Sequence, residues 1–473
     1  MTTGDVLDLP GQVAVVNVGL PLFAAAVAAQ GRPAVQVDWR IPAAGDPRAV
    51  AALRRLSGPR TAQVDAANAE AVRRLDTGVP VLVGIRPARE VVRQLSGRVL
   101  LHPGPAVELE QVCDPLRRSM RVTVLAEGWC RTLERADALL ESGDVRLLAA
   151  NDVGVVVPMA GVVGPTSPVW VVDLDADGER VTAFAPVGQG SGDVAWFGRE
   201  SPAAYTRLLL LRDAVAPVLS AAVADCGPVD VLSLAAQAVA MGDDVHVRTQ
   251  AATNLLLRHL LPSLMGSDHP RAVEVGRYLS ANHLLFLTLA MASARTLTAW
   301  AGQVQGSSMV TVMARNGTQF GAKLSGNDQW FLAPAPVVGR ALYHPGRGPA
   351  DGAPDIGDSA LLELVGLGGA AAAGSPAVGQ LVGGMDEAAA LTAELDRVCV
   401  ARSTRFTLPT YGGRGTPLGV DVRKVVEFGI TPKVTTGILH ISDGSGQVGA
   451  GVAEPPLGCF RDALLDLDAR LAR

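Results

Sequence analysis

QVAVVNVGLPLFAAAVAAQGRPAVQVDW, residues 12–39, reads as strand, turn, helix and strand. The apolar run 12–18 ends in Asn17-Val18-Gly19, and Pro21 suits the first turn of a helix over 22–30 that Gly31 closes. A second apolar run over 33–39 carries Asp38 near its end. This is a βαβ unit, which dictates a right-handed parallel crossover. A dinucleotide site would need G-x-G-x-x-G, and only Gly19 is in place, although Asp38 sits near the position of a ribose-binding acid. The stretch therefore reads as a Rossmann-like layer without a nucleotide.

The same alternation continues outward. Helices are expected over 62–77, 87–95, 106–119 and 129–142, and strands over 79–85, 98–102, 121–126 and 145–150. An open, mostly parallel sheet follows for a first domain at 1–153. In such sheets ligands bind beyond the carboxyl ends of the strands. Asn17, Arg86, His102, Glu127 and Asn151 fall at those ends, and Asn17 and Asn151 are taken as substrate-binding candidates. Residues 154–199 form a β-rich connector, with Asp175-Ala-Asp-Gly178 as a hairpin turn. Residues 200–302 read as an all-helical region and 303–473 as a C-terminal α/β domain.

Inside the helical region, VDVLSLAAQAVAMGDDVHVRTQAATNLLLRHLLPSLM (229–265) is apolar at helical spacing on both sides of a polar knot. Read as one helix, it pairs Asp244 with Arg248 at i, i+4 and sets Asp243 beside His246 at i, i+3. A buried helix seldom tolerates such a group. The knot is either a self-satisfied ion cluster at a helix joint or the wall of a site. Farther on, Arg315-Asn316-Gly317-Thr318 is either a hairpin turn or an anion cradle, and Asp358 reads as the N-cap of a helix from Ala360. The glycines over 366–384 permit close approach of backbone or ligand.

Composition narrows the function. A chain of 473 residues exceeds one ordinary core, so two or three domains are expected. With 48% hydrophobic residues, 4% aromatic residues and a mean hydropathy of +0.27, the core is built from Ala, Val and Leu. A net charge of -5 with no dense Lys/Arg run argues against nucleic-acid binding. Five scattered cysteines without C-x-x-C spacing point to a reduced, cytoplasmic protein with no zinc site. No secretory signal or membrane-spanning stretch is read.

Several blocks taken together resemble one family. They are VVNVGLPLFAAAV (15–27), PMAGVVGPTSPVWVV (158–172), MGDDVHVRTQAAT (241–253), MARNGTQFG (313–321), PDIGDSALLE (354–363) and GTPLGVDVRKVVEFGITPKVTTGILH (415–440). In that order they are similar to the YlbE/YahG (AllG-type) family of bacterial proteins, encoded beside FdrA-like partners. The resemblance spans nearly the whole chain. It implies a component of oxamate carbamoyltransferase from anaerobic allantoin breakdown, working with an FdrA-like subunit and a third protein. That reaction exchanges a carbamoyl group between oxalurate and phosphate, giving oxamate and carbamoyl phosphate. One departure stands out. The family's usual histidine-bearing segment before Gly-Pro-Met-Ala-Gly is replaced by Asn151-Asp152-Val153-Gly154, with Val157 in place of the first glycine.

Under that resemblance the chain needs an anion clamp, a polariser for the carbamoyl C=O and a proton carrier. Arg315, Arg423 or Lys424 is assigned to the anion, Asn316, Gly317 and Thr318 to the donors, and His246 to the proton, oriented by Asp243 or Asp244. Arg248, Asp358 and His440 complete the candidate set, with His440 in reserve for the proton step. No nucleophile motif is present, so transfer is direct. The ligand is phosphate or carbamoyl phosphate and no cofactor is called for. A divalent metal on Asp243, Asp244 and His246 would need a further element. The competing class is a non-catalytic scaffold for the FdrA-like partner, and an oligomer is expected.

Overall fold

A computed structural model describes residues 15–37 and 41–472. The βαβ unit forms as read: strands Val15–Val18 and Ala34–Val37 pair in parallel, Val15 opposite Ala34, and helix Pro21–Ala29 connects them. Asp38 lies outside the described residues. Yet the unit stays a two-stranded sheet, and Val16, Val18, Leu22, Phe23 and Val35 are exposed.

The single open parallel sheet expected over the first 153 residues does not form among the described residues. A second parallel pair joins Val99–His102 to Arg146–Ala149 as a separate sheet. The strand between the two pairs, Val81–Pro87, instead enters an antiparallel sheet ordered Glu179–Pro186, Pro168–Ala176, Val81–Pro87, Val229–Asp230. The long hairpin over 168–186, closed by Asp177 and Gly178 at positive φ, offers Val81–Pro87 a full-length antiparallel edge. The strand expected over 121–126 is also absent. Those residues end helix Asp114–Ala126, whose buried Leu116, Met120 and Val124 recur every four residues.

The stretch 229–265 is two helices, not one: Val231–Ala240 and Gln250–Met265. Asp230 caps the first, accepting from Ser233 N at 3.0 Å. Asp243 accepts from Ala252 N at 2.9 Å in the first turn of the second. Gly242 at φ 94° and Val245 at φ 58° turn the chain between them. The charged residues thus join two helices instead of burying themselves within one.

Helix Leu285–Ala301 is buried almost all round and packs on the hairpin sheet. The largest apolar cluster draws residues from Ala43 to Leu467, with smaller clusters beside it. No single described helix is long and apolar enough to cross a membrane, although helices Ala272–Ala281 and Leu285–Ala301, bent by 77°, pass that test as a pair.

In the last third, hairpin Val310–Asn316/Gln319–Leu324 sits inside a sheet ordered Phe331–Pro334, Gln319–Leu324, Val310–Asn316, Ile356–Gly357. Beside it lies a three-stranded sheet ordered Arg340–Tyr343, Gln447–Ala453, Val434–Leu439. The strand Val434–Leu439 matters most for the site. It passes Thr435 to one polar group and Thr436 to another.

Candidate active site

His246 is held by two elements that are remote in sequence. Its Nδ1 lies 2.9 Å from Glu363 Oε1 and 3.1 Å from Thr435 Oγ1. Glu363, in the short helix Leu361–Leu364, is fully buried; its Oε1 also accepts from Thr435 N at 3.2 Å and Gly369 N at 3.3 Å. Its Oε2 has no partner among the described residues. Gly368 makes the packing feasible. A Cβ there would stand 2.4 Å from Glu363 Oε1 and 3.0 Å from His246 Nδ1.

With Nδ1 engaged, Nε2 is the ring nitrogen left for chemistry. The ring lines a cavity of about 70 Å³ together with Met159, Trp196, Ser359, Thr436 and Gln447, room for several waters or a small planar group. Two strained residues flank it: Met159 at φ 49° and Val245 at φ 58°. A β-branched residue there is a true outlier, and such strain clusters at functional sites. Gly437 also lines the cavity. A Cβ on Gly437 would meet Met159 Cε at 2.8 Å.

Asp244 makes no direct hydrogen bond to the ring, which it reaches only through Thr435 Oγ1 at 3.5 Å, and its carboxylate does not pair with the Arg248 guanidinium. Buried, it accepts the backbone N–H of Arg248 at 2.8 Å, Val247 at 3.2 Å and His246 at 3.3 Å, which fixes the loop that presents His246. Burial pushes its carboxyl up from the ordinary range. Asp243 takes the Arg248 guanidinium at 2.7 Å, and its carboxyl is raised by burial to about 6. Loop geometry, with residues 241–249 not helical, replaces the i, i+4 pairing expected of a helix.

Arg315 is brought near but turned inward. Its Nε and Nη2 pair with the Asp355 carboxylate at 2.7 and 3.1 Å, Nη1 donates to Gly357 O at 2.6 Å, and Nη2 reaches Thr436 Oγ1 at 3.4 Å. It is fully buried. An ion pair so enclosed leaves Arg315 no free face for an anion. Asn316 is likewise spent on its own turn, accepting from Thr318 N and Gln319 N, while Gly317 supplies φ 82° and Thr318 donates to Gln111 O at 2.6 Å. Asp358 is no N-cap of its own helix. Its carboxylate accepts from Gly104 N and Val157 N, each at 2.8 Å, and burial raises its carboxyl to about 7.

The remaining candidates lie elsewhere. Arg423 is bound by Asp421 and Asp65, and Lys424 Nζ donates to Cys399 O at 2.6 Å. His440 Nδ1 accepts from Asp443 N at 2.9 Å, and its Nε2 lies 3.4 Å from Asp351. Asn17 donates to Leu20 O and Gln36 within the exposed βαβ unit. Asn151 is buried with no partner for its amide.

The relatives agree on one family. A family model described as oxamate carbamoyltransferase subunit AllG matches residues 145–359. Oxamate carbamoyltransferase subunit AllG of Escherichia coli K12 is 36% identical over 405 residues, 84% of this chain and 96% of that protein. The chain belongs to the AllG family. The uncharacterized protein YahG of the same organism is 31% identical, over 95% of this chain and 96% of its own length. A crystal structure of a conserved protein of unknown function from Enterococcus faecalis V583 superposes with a TM-score of 0.83 at 32% identity. It covers 86% of this chain and 98% of that one.

For this AllG-family chain, sequence reading found His246 but missed Glu363 and Thr435. The signal for Glu363 was present: a lone acid inside the apolar run Leu361-Leu362-Glu363-Leu364-Val365 has to be partnered when buried. Thr435 carried none, because a threonine in a strand is ordinary.

Proposed function

We propose that this chain is a carbamoyl-transferring subunit of the oxamate carbamoyltransferase type, with His246 as the proton carrier. One observation carries the reading: a buried histidine, held through Nδ1 by a buried carboxylate, presents its other nitrogen to a cavity between strained loops. That arrangement is the orienting logic of a general acid–base. In the direction from oxalurate, a phosphate oxygen attacks the carbamoyl carbon and the C–N bond to the oxamate nitrogen breaks. The proton of the attacking phosphate passes to His246 Nε2 and from there to that nitrogen. Glu363 balances the imidazolium before transfer. Ser359, on the cavity wall, is the hydroxyl that can donate to the carbonyl oxygen, since Thr436 already donates to Asp355 at 2.9 Å.

Among the described residues, no Arg or Lys lines this cavity. The anion clamp therefore comes from another surface, and an FdrA-like partner is the natural source, consistent with a relative named as a subunit. The same lack of a cation favours the second reading, a scaffold that supports the partner's chemistry. The experiment is phosphate-dependent release of carbamoyl phosphate from oxalurate, with the chain alone and with the partner. Wild type is active in complex and His246→Gln loses about 10²–10⁴-fold. Full activity in a folded His246→Gln complex removes the catalytic reading and leaves the scaffold.

A further inference from the structure

Away from the His246 cavity, the carboxyl ends of the second parallel pair hold a group of polar atoms that satisfy nothing. His102 ends strand Val99–His102 and is paired in register with Ala149, two residues before Asn151. His102 Nδ1 lies 2.9 Å from Pro103 O, which can only accept, so Nδ1 carries the proton and Nε2 is a bare acceptor. Burial favours that neutral ring. His102 Nε2, both amide atoms of Asn151 and Arg295 Nε are all buried without a partner. Arg295 makes one hydrogen bond, Nη2 to Asn151 O at a long 3.3 Å, and no carboxylate pairs with it among the described residues. Each unsatisfied buried group costs about 1–3 kcal/mol, so four in one place call for an occupant.

Arg295 also lines a polar cavity of about 450 Å³, whose wall includes Lys323, Gln303, Asn327 and the acid Asp328. Lys323 is neutralised by Asp152 at 2.7 Å, which leaves Arg295 as the unpaired cation of that wall. The unmet set is two donors, Arg295 Nε and Asn151 Nδ2, and two acceptors, His102 Nε2 and Asn151 Oδ1. Its complement is a small molecule with an oxyanion for the donors and an N–H₂ group for the acceptors.

We propose that Arg295, Asn151 and His102 form a binding site for a small carboxylate bearing an unsubstituted amide, entered from the Arg295 cavity. Arg295 swings off Asn151 O to take the carboxylate, and the amide of the ligand lies against Asn151 and His102. The site stands apart from the His246 cavity and does not depend on the proton role given to His246.

Calorimetric titration tests it on the full chain, with oxamate as probe and pyruvate, which replaces the amide by a methyl group, as the matched control. Oxamate binds wild type, pyruvate binds at least about tenfold more weakly, and Arg295→Gln loses at least about tenfold. Asn151→Leu guards against a folding artefact. It removes two unsatisfied atoms, so its melting temperature stays level or rises while oxamate binding is lost. Absence of oxamate binding to wild type overturns the proposal and leaves the group to ordered water. So does equal binding of oxamate and pyruvate, or unchanged affinity in Arg295→Gln. Loss of binding in His246→Gln with Arg295→Gln unaffected places the ligand in the other cavity and overturns it too.

Discussion

Glu363 and His246 stand 117 residues apart in the chain, yet Oε1 of one lies 2.9 Å from Nδ1 of the other. The contact is closed over by Gly368 and tied down by Thr435. It gives His246 a fixed ring orientation.

Replacing Glu363 by Gln keeps the shape and removes the charge that balances an imidazolium. In the assay with the partner, turnover falls by about 10²–10⁴-fold. Stability moves little, because Glu363 Oε2 already lacks a partner and a neutral amide is cheaper to bury than a carboxylate. A Glu363→Gln protein with wild-type turnover removes the carboxylate from the proposed chemistry. One that fails to fold shows that its role is packing.

Gly368→Ala tests the closure itself. The added Cβ meets Glu363 Oε1 at 2.4 Å, and the backbone sits at φ 59°. Strain and displacement together cost about 1–3 kcal/mol, read as a lower urea midpoint. Turnover drops with it, because the histidine has to shift. A substitution neutral in both readouts shows that the loop over 368–374 is looser than its contacts imply.

What the sequence made legible follows the range of the forces involved. Local periodicity and turn chemistry located the βαβ unit and the hairpin at Asn316-Gly317. Which strands share a sheet was not legible. Val81–Pro87 looks like its parallel neighbours, and only the distant hairpin over 168–186 draws it into an antiparallel sheet. Helical spacing likewise ran through Met241–Thr249, because the period does not record that Asp243 and Asp244 are consumed by backbone N–H groups. For the site, residue type singled out His246 as a proton carrier, and the structure sets it on a cavity wall. It overvalued Arg315, whose buried partner Asp355 is 40 residues away and carries no pattern.

Arg315 should therefore behave as a folding residue. Arg315→Ala strands the buried Asp355 carboxylate and costs about 3–5 kcal/mol, seen by urea denaturation. The double change Arg315→Met with Asp355→Leu recovers much of that loss, since an apolar pair needs no desolvated charge. A stable Arg315→Ala protein whose only defect is a raised KM for phosphate restores Arg315 to the role of anion clamp.

Asp358 makes stability depend on pH in a direction opposite to most carboxylates. Its carboxyl is raised by burial from 3.8 to about 7, against the lowering by the Gly104 and Val157 amides and by Arg315. The folded chain therefore holds this proton more tightly than the unfolded chain. The contribution is full below pH 3.8, is lost as pH rises toward about 7, and stays lost above that. Asp243, raised to about 6 by burial, adds to the same slope. Asp358→Asn isolates the first term. Asparagine has one carbonyl oxygen for two amide donors, so the variant is less stable at every pH by about 1–3 kcal/mol. It no longer titrates, however, so the gap to wild type is wider at pH 5 than at pH 8. Urea midpoints of both proteins at those two values read the difference directly. A gap of equal size at both values means that Asp358 is ionised throughout and held by its two backbone amides. A gap that widens toward pH 8 means that those amides depress its carboxyl despite the burial.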